Sequence, residues 1–477
     1  MKILYAAGEA LPFVSTGGLG DVIGSLPPCV KSLLGKKGDV RVVIPLYGPV
    51  KEKWGGQLER VYEGSMKLSW RNQYLGIMKT VYRDVTFYFI DNEYYYMRER
   101  TYGNFDDGER YAFFSKAVLE LMRIENFYPD ILHANDWQSA LSVIYLKRKY
   151  AHIEEYSRIS ALYTIHNIEY QGIYGFDILG DVFELDSWDR GIVEYDGNIN
   201  LTKGAIVCAD KVSTVSPRYA EEIMNEYYSA GLHHILRMYS DKICGIINGI
   251  DTEYYDPSSD PDIDAHYSAD EPAPKADDRR SLEKLCGFEE SDAPIIAMVS
   301  RLASHKGFEL VCRVFEDILA SSDIRFCILG TGEASLENFF RFMQQKYPGR
   351  VCAKIEFNKA LSKKIYAGAD MFLMPSKSEP CGLSQMIASR YGAVPIVRET
   401  GGLADTIKPY NEYDRTGNGF TFANYNAHDM MSTILYARSI YSDTQRWKEL
   451  TEKAMKTDFS WEKSAGEYIK LYGEIQY

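Results

Sequence analysis

Short apolar runs alternate with segments of helical periodicity along the whole chain, and this alternation limits the fold more than any other feature. Runs this short read as strands of a parallel sheet, whose crossovers must be helices. In the first half they lie at 2–6, 39–44, 85–90, 130–134, 159–165 and 211–215, with helical patterns such as 109–126 and 136–150 between them. Residues 58–90 differ: Tyr- and Val-rich runs separated by Gly64 and Gly76 predict a β-meander inserted in the first domain. Residues 256–278 carry Pro, Ser, Asp and Ala with little periodicity, which reads as a linker or surface excursion. Alternation then resumes at 294–300, 324–330, 351–357, 371–375 and 393–397, and 459–472 reads as an amphipathic closing helix. The simplest account is an α/β protein of two parallel-sheet domains joined near residue 250, without an internal repeat of 20–50 residues.

Composition excludes several function classes. At 477 residues and 45% apolar content the chain can bury a large core without a disulfide or metal staple. Its net charge of -13, with no Lys/Arg-rich run, argues against a nucleic-acid partner. The first apolar run is broken by Glu9 and Pro12, and no 18-residue apolar stretch exists, so no signal peptide and no membrane association are expected. The eight cysteines are scattered without a C-x-x-C pair. Reduced thiols in a cytoplasmic protein are therefore expected, with no zinc or iron–sulfur site and no cofactor.

Four constellations carry possible chemistry. The first is Ser15-Thr16-Gly17-Gly18-Leu19-Gly20-Asp21, between the first strand and a helix running to about Leu34. Glycines there let backbone amides approach an anion, although a turn needed only for chain reversal would look the same. It matches neither the dinucleotide fingerprint nor the P-loop. The second is Arg301 with Lys306, in a loop at the carboxyl end of the strand at 294–300. A planar fork and a point charge five residues apart suit one diphosphate, and ligands of open α/β sheets bind at such strand ends. Two solvated loop cations are the plainer alternative. The third is Glu379-Pro380-Cys381-Gly382-Leu383, before a helix beginning near Gly382, with Thr400-Gly401-Gly402 following the next strand. A carboxylate at this junction can bond sugar hydroxyls or help a developing cation. The fourth joins Asp136 and His166, each at the end of a predicted strand.

Three further signals are set aside. Asp260-x-Asp262-x-Asp264 resembles a divalent-metal motif but lies in the irregular excursion, and is expected to be solvated acid. Leu329-Gly330-Thr331-Gly332 lacks the third dinucleotide glycine, and Tyr94-Tyr95-Tyr96 reads as half-buried surface as readily as a carbohydrate face.

Taken together, these segments resemble the bacterial glycogen and plant starch synthases, retaining glycosyltransferases of family five with the GT-B architecture. The resemblance runs through 16–22 (TGGLGDV), 135–137 (NDW), 164–167 (TIHN), 198–206 (NINLTKGAI), 214–223 (TVSPRYAEEI), 245–251 (GIINGID), 300–307, 379–383, 400–406 (TGGLADT) and the FSW-led tail. It implies two Rossmann-like domains facing across a deep cleft: 1–245 on the acceptor side, 246–457 on the nucleotide-sugar side, and 458–477 as a helix crossing back. It further implies ADP-glucose as donor and an α-1,4-glucan as acceptor. By the same resemblance Arg301 and Lys306 hold the diphosphate, and Glu379 with the Gly382 and Leu383 amides holds glucose hydroxyls and the distal phosphate. His166 and Asn248 contact the glucose ring, Asp136 lies near the acceptor end, Asp21 lies near the sugar, and Ser15, Gly18 and Thr400 complete the donor site.

Three positions depart from the family pattern. Ser15 stands where a Lys is usual, Gln138 replaces a His, and His305 replaces a Gln. The first matters most, because a charge-assisted phosphate contact contributes about 1.5–3 kcal/mol. The reading is a glucan-elongating glucosyltransferase. Its rivals are a GT-B glucosyl transferase with another donor and a non-catalytic glucan- or nucleotide-sugar-binding regulator.

Overall fold

The computed structural model describes residues 1–476 and divides into two compact units, Met1–Gly249 together with the segment from Trp461 onward, and Ile250–Ser460. The first unit is built on a nine-stranded sheet. From one edge its order is Ile243–Gly245, Lys211–Thr214, Ser160–Ile165, Ile131–Asn135, Lys2–Ala6, Asp39–Pro45, Val85–Asp91, Arg71–Tyr82 and Glu59–Leu68. The first seven pair in parallel, and the last two close an antiparallel meander on Val85–Asp91. The meander thus extends the main sheet rather than standing apart. Residues of the central strands are nearly all fully buried, as runs without polar alternation require.

The closing helix, Trp461–Ile475, belongs to this first unit and packs on helix Gly18–Leu34. Its Tyr472 hydroxyl lies 2.7 Å from the Tyr5 hydroxyl and 2.8 Å from His133 Nδ1. His133 Nε2 continues to Thr164 Oγ1 at 2.6 Å, and Thr164 to Ser213 Oγ at 2.6 Å. This buried polar chain spans the central strands with each member satisfied, so it adds directional specificity to an otherwise apolar core.

The second unit holds an all-parallel six-stranded sheet: Val351–Lys354, Arg325–Leu329, Ile295–Val299, Met371–Met374, Val394–Arg398 and Phe420–Phe422. Its core gathers Ile296, Phe308, Phe315, Phe326 and Phe340 between that sheet and the helices that follow. No helix among the described residues is long and apolar enough to cross a membrane.

Two expectations are corrected. The acids at 260–264 are not freely solvated: Asp260 is buried, accepting from Lys363 Nζ at 3.1 Å and from the Tyr391 hydroxyl. Asp262 shares the same ammonium at 3.0 Å, and Asp264 pairs with Lys364. The excursion is therefore tied down by ion pairs, which a composition-based reading does not see. In the tyrosine run, Tyr95 and Tyr96 are core residues and only Tyr94 is exposed.

Candidate active site

In the first unit the glycine-rich loop is organised by a residue that motif reading passed over. Glu9, 2% exposed, follows the first strand and accepts from the Thr16 amide at 2.7 Å, the Thr16 hydroxyl at 2.8 Å and the Gly20 amide at 3.1 Å. Burial raises its pKa, and the bonds from Thr16 and Gly20 pull against that rise. Its only signal in the sequence is a carboxylate set directly after an apolar strand. Gly20 is required by packing: a Cβ there would lie 2.5 Å from the Ser15 Cβ. Ser15 is half-buried and donates its hydroxyl to the Gly17 carbonyl at 3.1 Å. Gly18 opens the helix Gly18–Leu34 and Asp21 lies in its first turn.

Asp136 and His166 do come together, through the backbone. Asp136 follows strand Ile131–Asn135 with φ of 56°, a left-handed conformation that costs a non-glycine residue about 1–3 kcal/mol. Its Oδ1 accepts the His166 amide at 2.7 Å, and the carboxylate also accepts the Asn167 amide. The Asn167 N–H and the His166 C=O belong to one planar trans peptide, so fixing the first aims the second away from Asp136. Burial pushes the Asp136 carboxyl up to about 7, against the two amide bonds and with the Glu9 charge adding to the rise.

His166 Nε2 lies 3.0 Å from Asn135 Oδ1, and Asn135 Nδ2 donates to the Ala6 carbonyl at 3.3 Å and the His133 carbonyl at 3.1 Å. Those two bonds fix the amide, so His166 carries its proton on Nε2. Burial pushes its pKa down to about 3, which keeps the ring neutral. Asn248, 6% exposed, has a buried Oδ1 without a hydrogen-bond partner among the described residues. A buried acceptor left open in this way suits a ligand's donor.

In the second unit, Lys306 and Glu379 form one ion pair, Nζ to Oε2 at 2.6 Å, with Ser376 Oγ donating to the same oxygen at 3.0 Å. Glu379 is 6% exposed. Arg301, from the same loop as Lys306, is exposed; its carbonyl accepts from Ser300 Oγ at 3.2 Å, and its guanidinium makes no ion pair or hydrogen bond among the described residues. Glycines let these loops meet: a Cβ on Gly307, at φ of 75°, would lie 2.0 Å from the Pro375 carbonyl oxygen, and one on Gly401, at φ of 45°, 1.9 Å from that of Glu379. Thr400 is buried beside Gly401. The helix after Glu379 begins at Ser384, two residues later than expected, so Gly382 and Leu383 form the loop before it; among the described residues neither amide donates to a backbone carbonyl. Gly330 and Gly332 serve packing, since Cβ atoms there would strike the Ser300 and Leu302 carbonyl oxygens.

Comparisons with known proteins agree with this arrangement. Residues 2–238 match the family model of the starch synthase catalytic domain, and residues 287–454 that of glycosyl transferases group 1. The chain is 45% identical to a glycogen synthase of Clostridioides difficile (strain 630) and 46% identical to one of Bacillus anthracis, covering 100% of both partners in each case. Among solved structures, the catalytic domain of starch synthase IV from Arabidopsis thaliana, bound to ADP and acarbose, superposes with a TM-score of 0.90 at 31% identity, over 99% of this chain and 98% of that one. A sucrose-phosphate synthase from Thermosynechococcus elongatus shares the fold at a TM-score of 0.61 and 16% identity, over 99% of this chain and 98% of that one. Two parallel-sheet units of the GT-B type and full-length identity with glycogen synthases lead to one conclusion: this chain belongs to the glycogen and starch synthase family, and is a glycosyltransferase that lengthens a glucan from a nucleotide-sugar donor.

Proposed function

We propose that the donor is ADP-glucose, that the acceptor is the non-reducing end of an α-1,4-glucan, and that transfer retains the anomeric configuration in the cytoplasm. Residues 246–457 form the nucleotide-sugar side and residues 1–245 the acceptor side, with His166, Ser15, Gly18 and Asp21 of the latter also serving the donor. The observation that carries this reading is the Lys306–Glu379 pair with Arg301 on the same loop, two cations and one carboxylate at the carboxyl ends of strands. The starch synthase IV solved with ADP and acarbose supports the same donor and acceptor classes.

Arg301 and Lys306 absorb the charge of the departing ADP, so leaving-group departure needs no metal. Glu379 anchors Lys306 and holds glucose hydroxyls, with the Gly382 and Leu383 amides and Thr400 on the distal phosphate. His166 and Asn248 contact the glucose ring. The His166 carbonyl, turned outward by Asp136, faces the oxocarbenium-like centre, and its partial negative charge grows because Asp136 polarises the same peptide unit. Asp136 lies near the acceptor, with Ser15, Gly18 and Asp21 at the loop facing donor. Incubation with radiolabelled ADP-glucose and glycogen should place label in polymer that amylase releases. Label entering only from UDP-glucose would overturn the donor, and label that binds without transfer would overturn the reaction.

A further inference from the structure

Three of the eight cysteines, far apart in sequence, meet in the second unit. Cys286 ends helix Lys275–Cys286, while Cys327 and Cys352 are direct register partners on the neighbouring parallel strands Arg325–Leu329 and Val351–Lys354. Their three sulfurs all lie within 4.8 Å of one another, with Cys286 and Cys327 at 3.6 Å. Cys327 and Cys352 are buried and Cys286 is half-buried, so the cluster is enclosed on the sheet side and reachable at the helix end.

The neighbours hold this geometry in place. Glu283, one turn before Cys286, forms a buried ion pair with Arg325 at 2.8 Å. Arg325 precedes Cys327 by two residues and therefore shares its face of the sheet. Gly287, in the left-handed region at φ of 68°, ends the helix directly after Cys286. The helix end is thus pinned to the strand that supplies the second thiol. None of these residues takes part in the glucosyl transfer proposed above.

We propose that Cys286, Cys327 and Cys352 form a three-coordinate site for a soft closed-shell cation, monovalent copper. Thiolates select soft metals. Metal–sulfur bonds of about 2.3 Å in a trigonal plane put the sulfurs about 4.0 Å apart, a little beyond the 3.6 Å between Cys286 and Cys327 and inside the 4.8 Å that bounds all three. No histidine, carboxylate or fourth cysteine joins the cluster among the described residues, which disfavours a closed tetrahedral zinc site. Binding replaces three thiol protons by one copper ion without change of oxidation state, leaving a net double negative charge on the cluster. Lys354, two residues beyond Cys352, offsets part of that charge.

The test uses the full chain, reduced and anaerobic, titrated with monovalent copper in competition with bicinchoninate. One equivalent should be held, three thiols should be lost to a thiol reagent, and the melting temperature should rise. Cys286→Ser should weaken retention by at least about a hundredfold, beyond the 10–100-fold typical of a lost supporting contact. Cys352→Ser should do the same, which guards against a fold-specific failure of one variant. Cys244→Ser, outside the cluster, should bind as the parent does. Equal retention by the parent and both cluster variants would overturn the site. Tighter retention of zinc than of copper would overturn the choice of metal. A melting temperature unmoved by copper in the parent would show uptake by scattered thiols and sink the proposal.

Discussion

Lys306 Nζ lies 2.6 Å from Glu379 Oε2, across 73 residues of sequence, and the two side chains are 18% and 8% exposed. A pair this enclosed behaves as a unit, because removing either charge leaves the other poorly solvated. Glu379→Gln is therefore expected to lower kcat by roughly ten- to a hundredfold, about 1.5–3 kcal/mol, with a smaller change in KM. Lys306→Met should lose stability as well as turnover, while Lys306→Met combined with Glu379→Gln should recover stability without activity. Steady-state kinetics and thermal melts on the three variants check this. An unchanged kcat with a raised KM in Glu379→Gln would confine the carboxylate to ground-state binding.

The Arg301 guanidinium has no ion pair or hydrogen bond among the described residues to lose. Arg301→Ala should fold with an unshifted melting temperature and lose about 2–4 kcal/mol of transition-state stabilisation, read as kcat/KM. Near-normal turnover in the folded variant would remove Arg301 from the diphosphate site.

Ser15 spends its hydroxyl on the Gly17 carbonyl. Ser15→Ala should therefore change donor affinity little, while Ser15→Lys should lower the KM for ADP-glucose by up to roughly tenfold, about 1.4 kcal/mol. Donor titrations in which neither variant differs from the parent would place the loop away from the phosphates.

Asp136 couples the site to pH. Its carboxyl is raised to about 7 in the folded protein, whereas the unfolded chain titrates near its ordinary 3.8. Between these values the folded state holds the extra proton, so the stability it confers is complete below about pH 4 and lost as pH rises through 7. Asp136→Asn should remove that slope. Its melting temperature relative to the parent should rise from pH 5 to pH 8; a difference that stays flat with pH would show that Asp136 is ionised throughout.

Chelation should leave turnover unchanged. Asp260, the acid a divalent ion would need, is buried against Lys363 and Tyr391. Lys363→Met should accordingly cost about 3–5 kcal/mol, measured by denaturant unfolding, because it strands a buried carboxylate. Strict restoration of chelated enzyme by magnesium would contradict the first statement, and an unchanged unfolding free energy in Lys363→Met the second.

Periodicity and motif spacing in the sequence determined the two parallel sheets, the meander, the closing helix and the positions of Arg301, Lys306, Glu379, Asp136 and His166 at strand ends. These properties are local: a strand's apolar run and the loop at its carboxyl end are set by consecutive residues. The tertiary structure alone decided which side chains meet. Glu9 as the anchor of the glycine loop, the Asp136 carboxylate on the His166 and Asn167 amides, Asp260 against Lys363, and the three sulfurs of Cys286, Cys327 and Cys352 each join residues from separate elements. Sheet register and helix packing bring such partners within bonding distance, and burial then sets their charge state; neither is encoded by any one stretch of chain.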